Sequence, residues 1–486
     1  MTSLAELLLE STENAADEPF LVPPDASALT YADVWERAGA IAGALHGRGA
    51  RPGDRVVIQV DKSVDNVALY LACVLSGLVF TPVNPVATTA ELDYVIDDAD
   101  PAVVVTDRPT ETEIDRPVLT FDSGAAVLAD DTERRFHRVD RDPTDLAALL
   151  YTSGTTGTPK GAMLTNANLV ANARALVDAW SWRDDDVLIH GLPLFHVHGL
   201  FVALHCAMLG GSPVILLPRF DAEAVLAAMP AATVFMGVPT HYVRLLADPG
   251  LDSRRCGSMR LFTSGSAPMT ETVHAAFTQR TGHRIVERYG MTETGILTSN
   301  PYPGECVPGT VGFALNGVEL RITDDDGADV SAGTTGSVEV NGPDVFAGYW
   351  QRPDATAEST RQDGWFVTGD VGRLEPDGRL RLEGRSGDMV ISGGENIYPR
   401  EIELILDQIE GIAESAVIGL PDEDLGERVV AVLVADGESP AEAAIRATLG
   451  DRLARFKHPR ALVWVDELPR NTMGKVQKHR LRDQLS

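Results

Sequence analysis

The sequence predicts an α/β fold, with a large N-terminal domain of parallel-rich sheets flanked by helices, a β subdomain, and a small mobile α+β C-terminal domain. The chain has 486 residues, enough for about three domain-sized units. Hydrophobic residues make up 44% and charged residues 23%, as in an ordinary globular enzyme. Between residues 30 and 317, short apolar runs alternate with longer helical patterns, which is typical of parallel strands covered on both faces. The apolar runs are 146–151, 213–217, 233–238 and 259–263, and 269–281 is one of the helical patterns.

The pattern changes after residue 317, where segments alternate like half-exposed strands. They predict the β subdomain over about 318–384, within an N-terminal domain of 1–384. Residues 385–486 form the predicted C-terminal lid domain, with its hinge near Gly387. In this part we expect strands over 415–419 and 428–434 and a helix over 401–408. Ser439-Pro440-Ala441-Glu442 predicts a capping box that opens a further helix.

The charge balance excludes several classes of partner. Lys+Arg is 41 and Asp+Glu is 71, so the formal net charge is −30, which argues against nucleic acid and anionic membranes as partners. The few lysines and many acids fit a high-salt cytoplasm, and a GC-rich genome explains them equally well. We expect a cytoplasmic protein without a signal peptide or membrane insertion, because the longest uncharged stretch, 66–90, is broken by Gly77 and two prolines. The four cysteines are widely spaced and predict neither disulfides nor a zinc site.

The most specific motif is a loop rich in glycine and hydroxyl groups, which runs from Tyr151 to Gly161 after an apolar strand. Backbone N–H groups, hydroxyls and an ammonium can surround a polyphosphate. Lys160 follows a proline and precedes Gly161, so this is not a Walker A loop, and a solvated linker is the alternative interpretation. The candidate phosphate-binding residues are Thr152, Ser153, Gly154, Thr155, Thr156, Gly157 and Lys160.

This loop resembles the phosphate-binding signature of adenylate-forming enzymes, the superfamily of acyl-CoA synthetases, luciferases and adenylation domains. Five more motifs resemble that family in the same order, so the resemblance spans essentially the whole chain. They are Ser264-Gly-Ser-Ala-Pro268 (adenine loop), Tyr289-Gly-Met-Thr-Glu293 (AMP and magnesium), Thr368-Gly-Asp370 (ribose), Gly384-Arg385 (hinge) and Pro469-Arg-Asn-Thr-Met-Gly-Lys475 (catalytic lysine).

The resemblance implies an ATP-dependent acyl-CoA synthetase that uses Mg²⁺ and coenzyme A and releases AMP and pyrophosphate. The acid is ionised near pH 7, so it attacks the α-phosphorus of ATP without a general base, and catalysis is positioning plus charge stabilisation. In this scheme Lys475 neutralises charge at the α-phosphate, Glu293 is a Mg²⁺ ligand and Thr292 bonds a phosphate oxygen. The resemblance also implies nucleotide or CoA contacts for Gly265, Ser266, Ala267, Glu287, Tyr289, Gly290, Asp370, Arg385 and Gly393.

Coenzyme A enters in the second half-reaction, for which the family rotates the small domain about the hinge. Residues 392–399 resemble the loop lining the pantetheine tunnel, where glycines admit a thin chain. Gly387 stands where many relatives carry a charged hinge residue. Lys457 and Lys478 are either surface residues or contacts to the phosphates of CoA.

Within the superfamily, the chain most resembles malonyl-CoA synthetases, in segments 192–201, 235–240, 287–294 and 298–302 and in the tail. Arg288 is the candidate clamp for a second carboxylate; alternatively it pairs with Glu287 or faces solvent. His196 is expected to wall or gate the pocket, and a core histidine is the alternative.

Val197 and Ile296 are further candidate contacts to the acid. Val197 and the segment 295–297 depart from the malonate pattern, so methylmalonate, or a fatty or aryl monocarboxylate, stays open as the acid. Two other classes also stay open: an adenylating enzyme that loads a carrier protein, and a non-catalytic nucleotide sensor.

Overall fold

The computed structural model describes residues 3–108, 117–120, 138–152, 159–392, 395–422, 425–471 and 474–486. Within these residues the chain forms four sheets of nine, six, five and four strands, with helices on the two largest. The predicted α/β class with parallel-rich sheets is confirmed. In this described part of the chain, no helix is both long enough and apolar enough to cross a membrane.

Strands and helices alternate over the first two thirds of the chain. The strands are β1 (Pro19–Val22), β2 (Leu29–Thr30), β3 (Arg55–Gln59), β4 (Val79–Pro82), β5 (Val103–Thr106), β6 (Val118–Thr120), β7 (Leu146–Thr152), β8 (Lys160–Thr165), β9 (Leu188–His190), β10 (Val214–Leu216), β11 (Val234–Gly237), β12 (Leu261–Ser264), β13 (Ile285–Met291), β14 (Gly295–Ser299) and β15 (Phe313–Ala314). The helices are α1 (Leu4–Glu13), α2 (Tyr31–Gly47), α3 (Val64–Ser76), α4 (Thr89–Ala99), α5 (Asn166–Ala179), the π-helical turn His198–Ala203, α6 (Leu204–Leu209), α7 (Ala222–Ala228), the 3₁₀ turn Met229–Ala231, α8 (Pro239–Ala247) and α9 (Glu271–Thr281).

The last third is richer in antiparallel strands. They are β16 (Glu319–Thr323), β17 (Gly336–Asn341), β18 (Phe366–Leu374), β19 (Leu380–Arg385), β20 (Val390–Ser392), β21 (Glu395–Ile397), β22 (Ile412–Asp422), β23 (Gly426–Ala435) and β24 (Ala461–Val465). The helices are α10 (Pro353–Glu358), the 3₁₀ turn Ser386–Asp388, α11 (Pro399–Leu406), α12 (Glu442–Arg452), the 3₁₀ turn Arg455–Lys457 and α13 (Lys478–Leu485).

The two largest sheets place the carboxyl ends of their parallel strands where ligands bind in α/β proteins. The six-stranded sheet has the order β6–β5–β3–β4–β7–β8 and is parallel except between β7 and β8. The nine-stranded sheet has the order β15–β14–β13–β12–β11–β9–β10–β1–β2, with a parallel centre from β1 to β13. One continuous hydrophobic core includes residues of both sheets. Apolar strands covered on both faces explain the uninterrupted hydrophobic runs in the sequence.

Helix starts in this region follow local capping signals. Ser3, Thr30, Thr88 and Thr165 each accept from the third helical residue in a reciprocal capping box. The uncharged segment that was predicted to be a core helix is α3, which ends at Gly77 in the left-handed conformation with φ 63°. This is the usual helix stop at a glycine.

The four-stranded sheet, β16–β17–β18–β19, is fully antiparallel and lies within the predicted β subdomain. The five-stranded sheet is built from strands after residue 389, and α11 and α12 pack on it through a separate core. Gly387 lies in the short turn Ser386–Asp388 that joins the two sheets. The boundary at 384/385 and the hinge stay predictions.

One local prediction in the C-terminal part is wrong. Ser439 does not cap α12: the helix begins at Glu442, its N-cap is Ala441, and no side chain caps it. The Pro440–Ala441 pair instead remains extended, with Ala441 at φ −60° and ψ 135°. The proline meets Gly411, whose Cβ, if present, would lie 2.9 Å from Pro440 Cδ, so tertiary packing fixes this segment.

A buried ion pair between Asp186 and Arg260 stabilises the central part of the nine-stranded sheet. The Asp186 carboxylate is fully buried and accepts from Arg260, from Thr233 Oγ1 at 2.7 Å and from Arg183 N at 2.8 Å. Burial alone would raise the pKa of Asp186, but the hydrogen bonds from Arg260, Thr233 and Arg183 hold it below its ordinary value. The pair therefore stabilises the fold while Asp186 is ionised.

We expect Asp186→Asn to destabilise the protein by about 3–5 kcal/mol, because it leaves the Arg260 charge buried and unpaired. Since the folded-state pKa of Asp186 is lowered, this stabilisation is present above the unfolded-state pKa of about 3.9 and is lost as pH falls through the folded-state value. Urea unfolding midpoints between pH 7 and pH 3 test this. Asp140→Asn is the control, because Asp140 is 88% exposed in its pair with Arg138. Equal midpoints for both variants at pH 7 would contradict the assignment.

Candidate active site

The ribose end of the site brings together three of the predicted residues. Tyr289 on β13 donates its hydroxyl to Asp370 Oδ2 at 2.5 Å, and Arg385 Nε lies 3.0 Å from Asp370 Oδ1. Asp370 and Arg385 face each other in the register of β18 and β19. Burial raises the pKa of Tyr289, so its hydroxyl stays protonated and donates. The Asp370 carboxylate is thereby held on β18, an inner strand of the antiparallel sheet, next to Tyr289 of β13.

The predicted adenine loop follows β12 directly. Gly265 is buried, and Ala267 is half-buried. Ser266 has φ 68°, a left-handed conformation that costs free energy for a residue other than glycine. Its Oγ lies 3.5 Å from His198 Nδ1, at the limit of a hydrogen bond. The loop is thus held in a strained shape against the histidine segment.

Glu293 and Lys160 are linked through a tyrosine. Tyr349 donates its hydroxyl to Glu293 Oε1 at 3.0 Å, and Lys160 Nζ lies 5.3 Å from the centre of the same ring. Burial raises the pKa of Glu293, while Tyr349 and Arg385 act in the opposite direction. Thr292 shares the turn between β13 and β14 with Glu293. The candidate metal ligand and the candidate phosphate-binding lysine are therefore close neighbours.

The phosphate loop itself is only partly described. Thr152 ends β7, pairs with Lys160 at the start of β8, and bonds its carbonyl oxygen through Oγ1 at 3.4 Å. Ser153, Gly154, Thr155, Thr156 and Gly157 lie outside the described residues, and so does Gly393 of the predicted pantetheine loop. The loop connects two antiparallel strands at the edge of the six-stranded sheet.

Arg288 is buried, with 4% of its surface exposed. Its guanidinium lies over Gly265, where a Cβ would be 2.5 Å from Arg288 Cζ, so only glycine leaves room for it. Nε and Nη2 have no hydrogen-bond partner in the described part of the chain. Burial lowers the pKa of Arg288 to about 9, so it remains charged at neutral pH. The site therefore contains a buried cation that has no anionic partner among the residues the structure describes.

Pairing with Glu287 and exposure to solvent were the alternatives for Arg288, and both are wrong. Neighbouring residues on a strand point to opposite faces, and Glu287 accepts from Gly309 N at 3.2 Å on the other face. Burial raises the pKa of Glu287 to about 8. The Glu287 side chain therefore points toward Gly309 and away from Arg288.

Three imidazoles near Arg288 are neutral. Burial is the main cause that lowers the pKa of His196 to about 4, of His241 to about 3, and of His198 well below its ordinary value. Arg288 lowers the pKa of His198 further. His196 Nε2, His198 Nε2 and His241 Nδ1 have no partner among the described residues. These rings present polar nitrogens without adding charge.

Val197 and Gly295, two positions that depart from the malonate pattern, line one small cavity together with Asp344. Its free volume of ≈ 10 Å³ is about what one water molecule needs. Ile296 is buried in the main core, and Asn172 binds both its backbone N–H and its carbonyl. Gly290 is restricted to glycine, because a Cβ there would lie 2.0 Å from Gly295 O.

Lys475 reaches the same site from the C-terminal part of the chain. The side chain is exposed to solvent, yet protein surrounds it sufficiently that desolvation, with Arg385, lowers its pKa; Asp370 acts in the opposite direction. Next to it, a Cβ on Gly474 would lie 2.9 Å from Thr240 Oγ1, so this loop packs on α8. The structure therefore brings Lys475 to the ribose end of the site.

The two other C-terminal lysines pair with carboxylates. Lys457 Nζ lies 2.6 Å from Glu401, and Lys478 Nζ lies 2.7 Å from Glu403. Neither ammonium is a free surface charge in this arrangement.

Comparisons with known proteins identify the family to which this chain belongs. The family model described as AMP-binding enzyme matches residues 8–350, and the AMP-binding enzyme C-terminal domain matches 401–475. A feruloyl-CoA synthase of Amycolatopsis sp is 37% identical and covers 94% of both chains. The malonate–CoA ligase of Arabidopsis thaliana is 35% identical, over 90% of this chain and 79% of its own.

The solved structures include ATP-bound MatB from Rhodopseudomonas palustris, which is 45% identical and covers 99% of this chain and 98% of its own, with a TM-score of 0.94. Apo MatB from the same organism has the same identity and coverage and a TM-score of 0.84. The chain belongs to the AMP-binding enzyme family. It is an ATP-dependent acyl-CoA ligase, an acid–thiol ligase that forms an adenylate and uses ATP and coenzyme A.

The structure adds residues that the motifs did not reveal. Tyr349 bridges Lys160 and Glu293, and Thr240 contacts the catalytic-lysine loop. Backbone hydrogen bonds lay the segment around Tyr349 along β8 at 2.8–3.0 Å, which carries the ring into the ligase site. Tyr349 follows a glycine within an aromatic-rich run in the sequence. The aromatic-rich run could have drawn attention to Tyr349, but nothing in the sequence indicated that it contacts Glu293 or Lys160.

We expect Tyr349→Phe to raise the Mg²⁺ concentration that half-saturates adenylate formation by about 10-fold, because one hydrogen bond to the Glu293 carboxylate is lost. The ring that faces Lys160 is kept. Pyrophosphate release at a series of Mg²⁺ concentrations measures the effect. Tyr31→Phe is the matched control, since its hydroxyl donates to Ser212 O at 2.9 Å in the core. If Tyr349→Phe has the same Mg²⁺ dependence as the wild type, Tyr349 plays no part in metal binding.

Proposed function

We propose that the ligase activates a short dicarboxylate, most specifically malonate, to an acyl adenylate and then to its CoA thioester. The observation that carries this proposal is the buried, charged guanidinium of Arg288, whose Nε and Nη2 have no hydrogen-bond partner among the described residues. A desolvated charge is costly unless it is paired. The second carboxylate of malonate supplies that pair, in a bidentate contact that fixes the substrate. A monocarboxylate would leave the cation unpaired.

The similar proteins support this acid without deciding it. A malonate–CoA ligase and a feruloyl-CoA synthase resemble the chain about equally. The discrimination therefore depends on the pocket. Neutral His198 places a polar nitrogen close to Arg288 without a competing charge, and neutral His196 lies close to His198.

The residues present fit a Mg²⁺ ion bound together with ATP. Mg²⁺ is usually held by one or two carboxylates plus substrate phosphates, and Glu293 is one buried carboxylate with Lys160 close by. When bound, the ion would offset negative charge on the phosphates. Thr292 and Lys160 would bind phosphate oxygens, and Asp370 would accept from the ribose hydroxyls.

Adenylate formation then requires positioning and charge rather than a base, because the acid is already ionised. The substrate carboxylate held by Arg288 directs the other carboxylate at the α-phosphorus, and pyrophosphate leaves. Lys475 would stabilise the charge that develops on the α-phosphate. Its place beside Asp370 and Arg385 agrees with this role.

The second half-reaction would use a different placement of residues 385–486 relative to 1–384, with rotation near Gly387. The structure has a higher TM-score with ATP-bound MatB, 0.94, than with apo MatB, 0.84. This difference supports an arrangement of the two parts that is suited to adenylation. In it Lys475 faces the nucleotide site. The thiol of coenzyme A would attack the adenylate after the lysine has moved away.

We expect Arg288→Ala to reduce kcat/KM for malonate by about 10²- to 10³-fold, since a buried ion pair is removed, while acetate use changes far less. CoA-dependent AMP release with malonate, methylmalonate, acetate, butyrate, octanoate and 4-coumarate measures this. The wild type should prefer the two dicarboxylates. A wild type that uses only a monocarboxylate would refute the dicarboxylate proposal and leave the ligase activity intact.

A second variant separates the guanidinium's position from its charge. Gly265→Ala keeps Arg288 but places a Cβ where Arg288 Cζ would be 2.5 Å away, so the flexible guanidinium must shift. Gly265→Ala should lower kcat/KM for malonate while changing the midpoint of thermal unfolding only a little. Equal loss with malonate and acetate in both variants would assign Arg288 to ATP binding or to the fold.

We expect Lys475→Ala to reduce adenylate formation by more than 10³-fold, because a charge on the developing transition state is lost, and to spare thioester formation from supplied malonyl adenylate. Pyrophosphate release and thioester formation are measured separately. Lys457→Ala is the control lysine, paired with Glu401, and should leave pyrophosphate release unchanged. Equal loss in both half-reactions would exclude a role for Lys475 confined to adenylation.

A further inference from the structure

A lysine of the six-stranded sheet reaches across to the nine-stranded sheet beside the acid pocket. Lys62 lies between β3 and α3, and its ammonium is 2.8 Å from His190 Nδ1 and 2.7 Å from His190 O. The backbone end of Lys62 is partly exposed, whereas burial lowers the pKa of its ammonium well below the ordinary value. His190 ends β9 and is 1% exposed. The contact therefore joins the carboxyl ends of β3 and β9.

The second nitrogen of His190 fixes the tautomer of the ring. His190 Nε2 lies 2.8 Å from the carbonyl oxygen of Gly199, which can only accept, so Nε2 carries the proton. Burial lowers the pKa of His190 to about 3, which keeps the ring neutral. Nδ1 is then an acceptor, and Lys62 is its donor. The two hydrogen bonds depend on each other, since a donor at Nδ1 stabilises the tautomer that donates from Nε2.

Gly199 belongs to the π-helical turn that begins at His198. Close packing against Pro193 and a backbone hydrogen bond to His196 hold this turn in place. A Cβ on Gly199 would lie 2.1 Å from Pro193 O, and Leu200 N donates to His196 O at 3.0 Å. His198 in turn approaches Ser266 Oγ at 3.5 Å. A π-helical turn is rare and occurs mostly at functional sites. The carbonyl that His190 holds is thus one residue away from the imidazole that faces Arg288.

We propose that Lys62 is a positioning residue for the acid substrate: by donating to His190 Nδ1 it holds His190 in the tautomer that anchors Gly199, and it thereby sets the place of His198 in the acid pocket. Lys62 touches neither ATP nor the acid in this assignment. It acts through His190 and the π-helical turn. The inference rests on the proposed location of the acid pocket and not on which acid fills it.

The test is a comparison of Michaelis constants in the intact enzyme. Lys62→Met should raise KM for the best acid of the panel by about 10- to 100-fold, because the buried Nδ1 of His190 is left without its donor. KM for ATP should change less than about 3-fold, because His198 approaches the predicted adenine loop at Ser266 with a 3.5 Å contact at the limit of a hydrogen bond, and Asp370 and Arg385 lie outside this chain of contacts. An equal rise in both constants would overturn the proposal.

Two substitutions of His190 provide the conservative test. His190→Gln keeps an amide N–H for Gly199 O and a carbonyl for Lys62, whereas His190→Leu keeps neither at similar volume. We expect Gln to retain most of the affinity for the acid and Leu to reproduce the effect of Lys62→Met. The double variant Lys62→Met/His190→Leu should be no worse than either alone, because both remove one chain of contacts. Additive losses would overturn the proposal, and the His190 pair decides it if Lys62→Met fails to fold.

Arg37→Met is the matched control, since Arg37 pairs with Asp65 at the start of the same α3 helix. It should lower thermal stability without separating the two Michaelis constants. A split in Arg37→Met like that of Lys62→Met would show that any disturbance of α3 suffices. Because the best acid is chosen from the wild-type panel, a preference for a monocarboxylate would refute malonate and still leave the Lys62 test valid.

Discussion

The burial of the Arg288 guanidinium, which has no anionic partner among the described residues, is the constraint on which the acid side of the proposed function depends. Taking Arg288 out of water costs several kcal/mol, and the fall in its pKa to about 9 reflects that cost. Every titratable ring near it is neutral for the same reason. A substrate anion offsets this cost on binding. The free enzyme thus carries an electrostatic penalty that binding of a matching acid removes, and this favours discrimination by charge more than by size.

The constraint explains why the local backbone is so restricted. The guanidinium occupies space that only glycine at 265 leaves free, and the next residue, Ser266, is held at positive φ. Gly290 is pressed against the carbonyl of Gly295 in the same way. Such strain persists only where the surroundings over-determine it. Here the surroundings are β12 and β13, which pair in a fixed register.

The two parallel-rich sheets contribute different parts of the chemistry, and specific contacts join them. Lys160 belongs to the six-stranded sheet and Glu293 to the turn that follows β13 of the nine-stranded sheet; Tyr349 connects them. Lys62 and His190 make the corresponding contact on the acid side. These contacts join residues that are 56 to 189 positions apart along the chain. Their long separation is the reason that periodicity and local motifs could not predict them, although the motif residues themselves, including Tyr289 with Asp370 and Arg385, were predicted from the sequence.

Local signals likewise failed where tertiary packing decided the outcome. The Ser439 capping box has the right residues at the right spacing, yet Pro440 packs against Gly411 and the helix begins later without a side-chain cap. Glu287 lies next to Arg288 in sequence, yet strand alternation sends it to the opposite face, where it meets Gly309. By contrast, β16 and β17 lie within the segment predicted as the β subdomain, although the burial of their residues does not follow strict alternation.

Lys475 differs from the other cations of the site in how it is held. Arg288 and Lys160 project from strands of the large sheets, so they are present in any arrangement of the C-terminal part. Lys475 is exposed and belongs to the C-terminal part of the chain, which approaches the N-terminal part at Gly474 and Thr240. Its pKa is lowered by desolvation in this position, so leaving the position relieves that cost. In the proposed function, Lys475 is needed only while charge develops on the α-phosphate, and it is attached where leaving the site costs little. Arg288 and Lys160, which are proposed to hold the acid and the nucleotide, are fixed on strands of the large sheets.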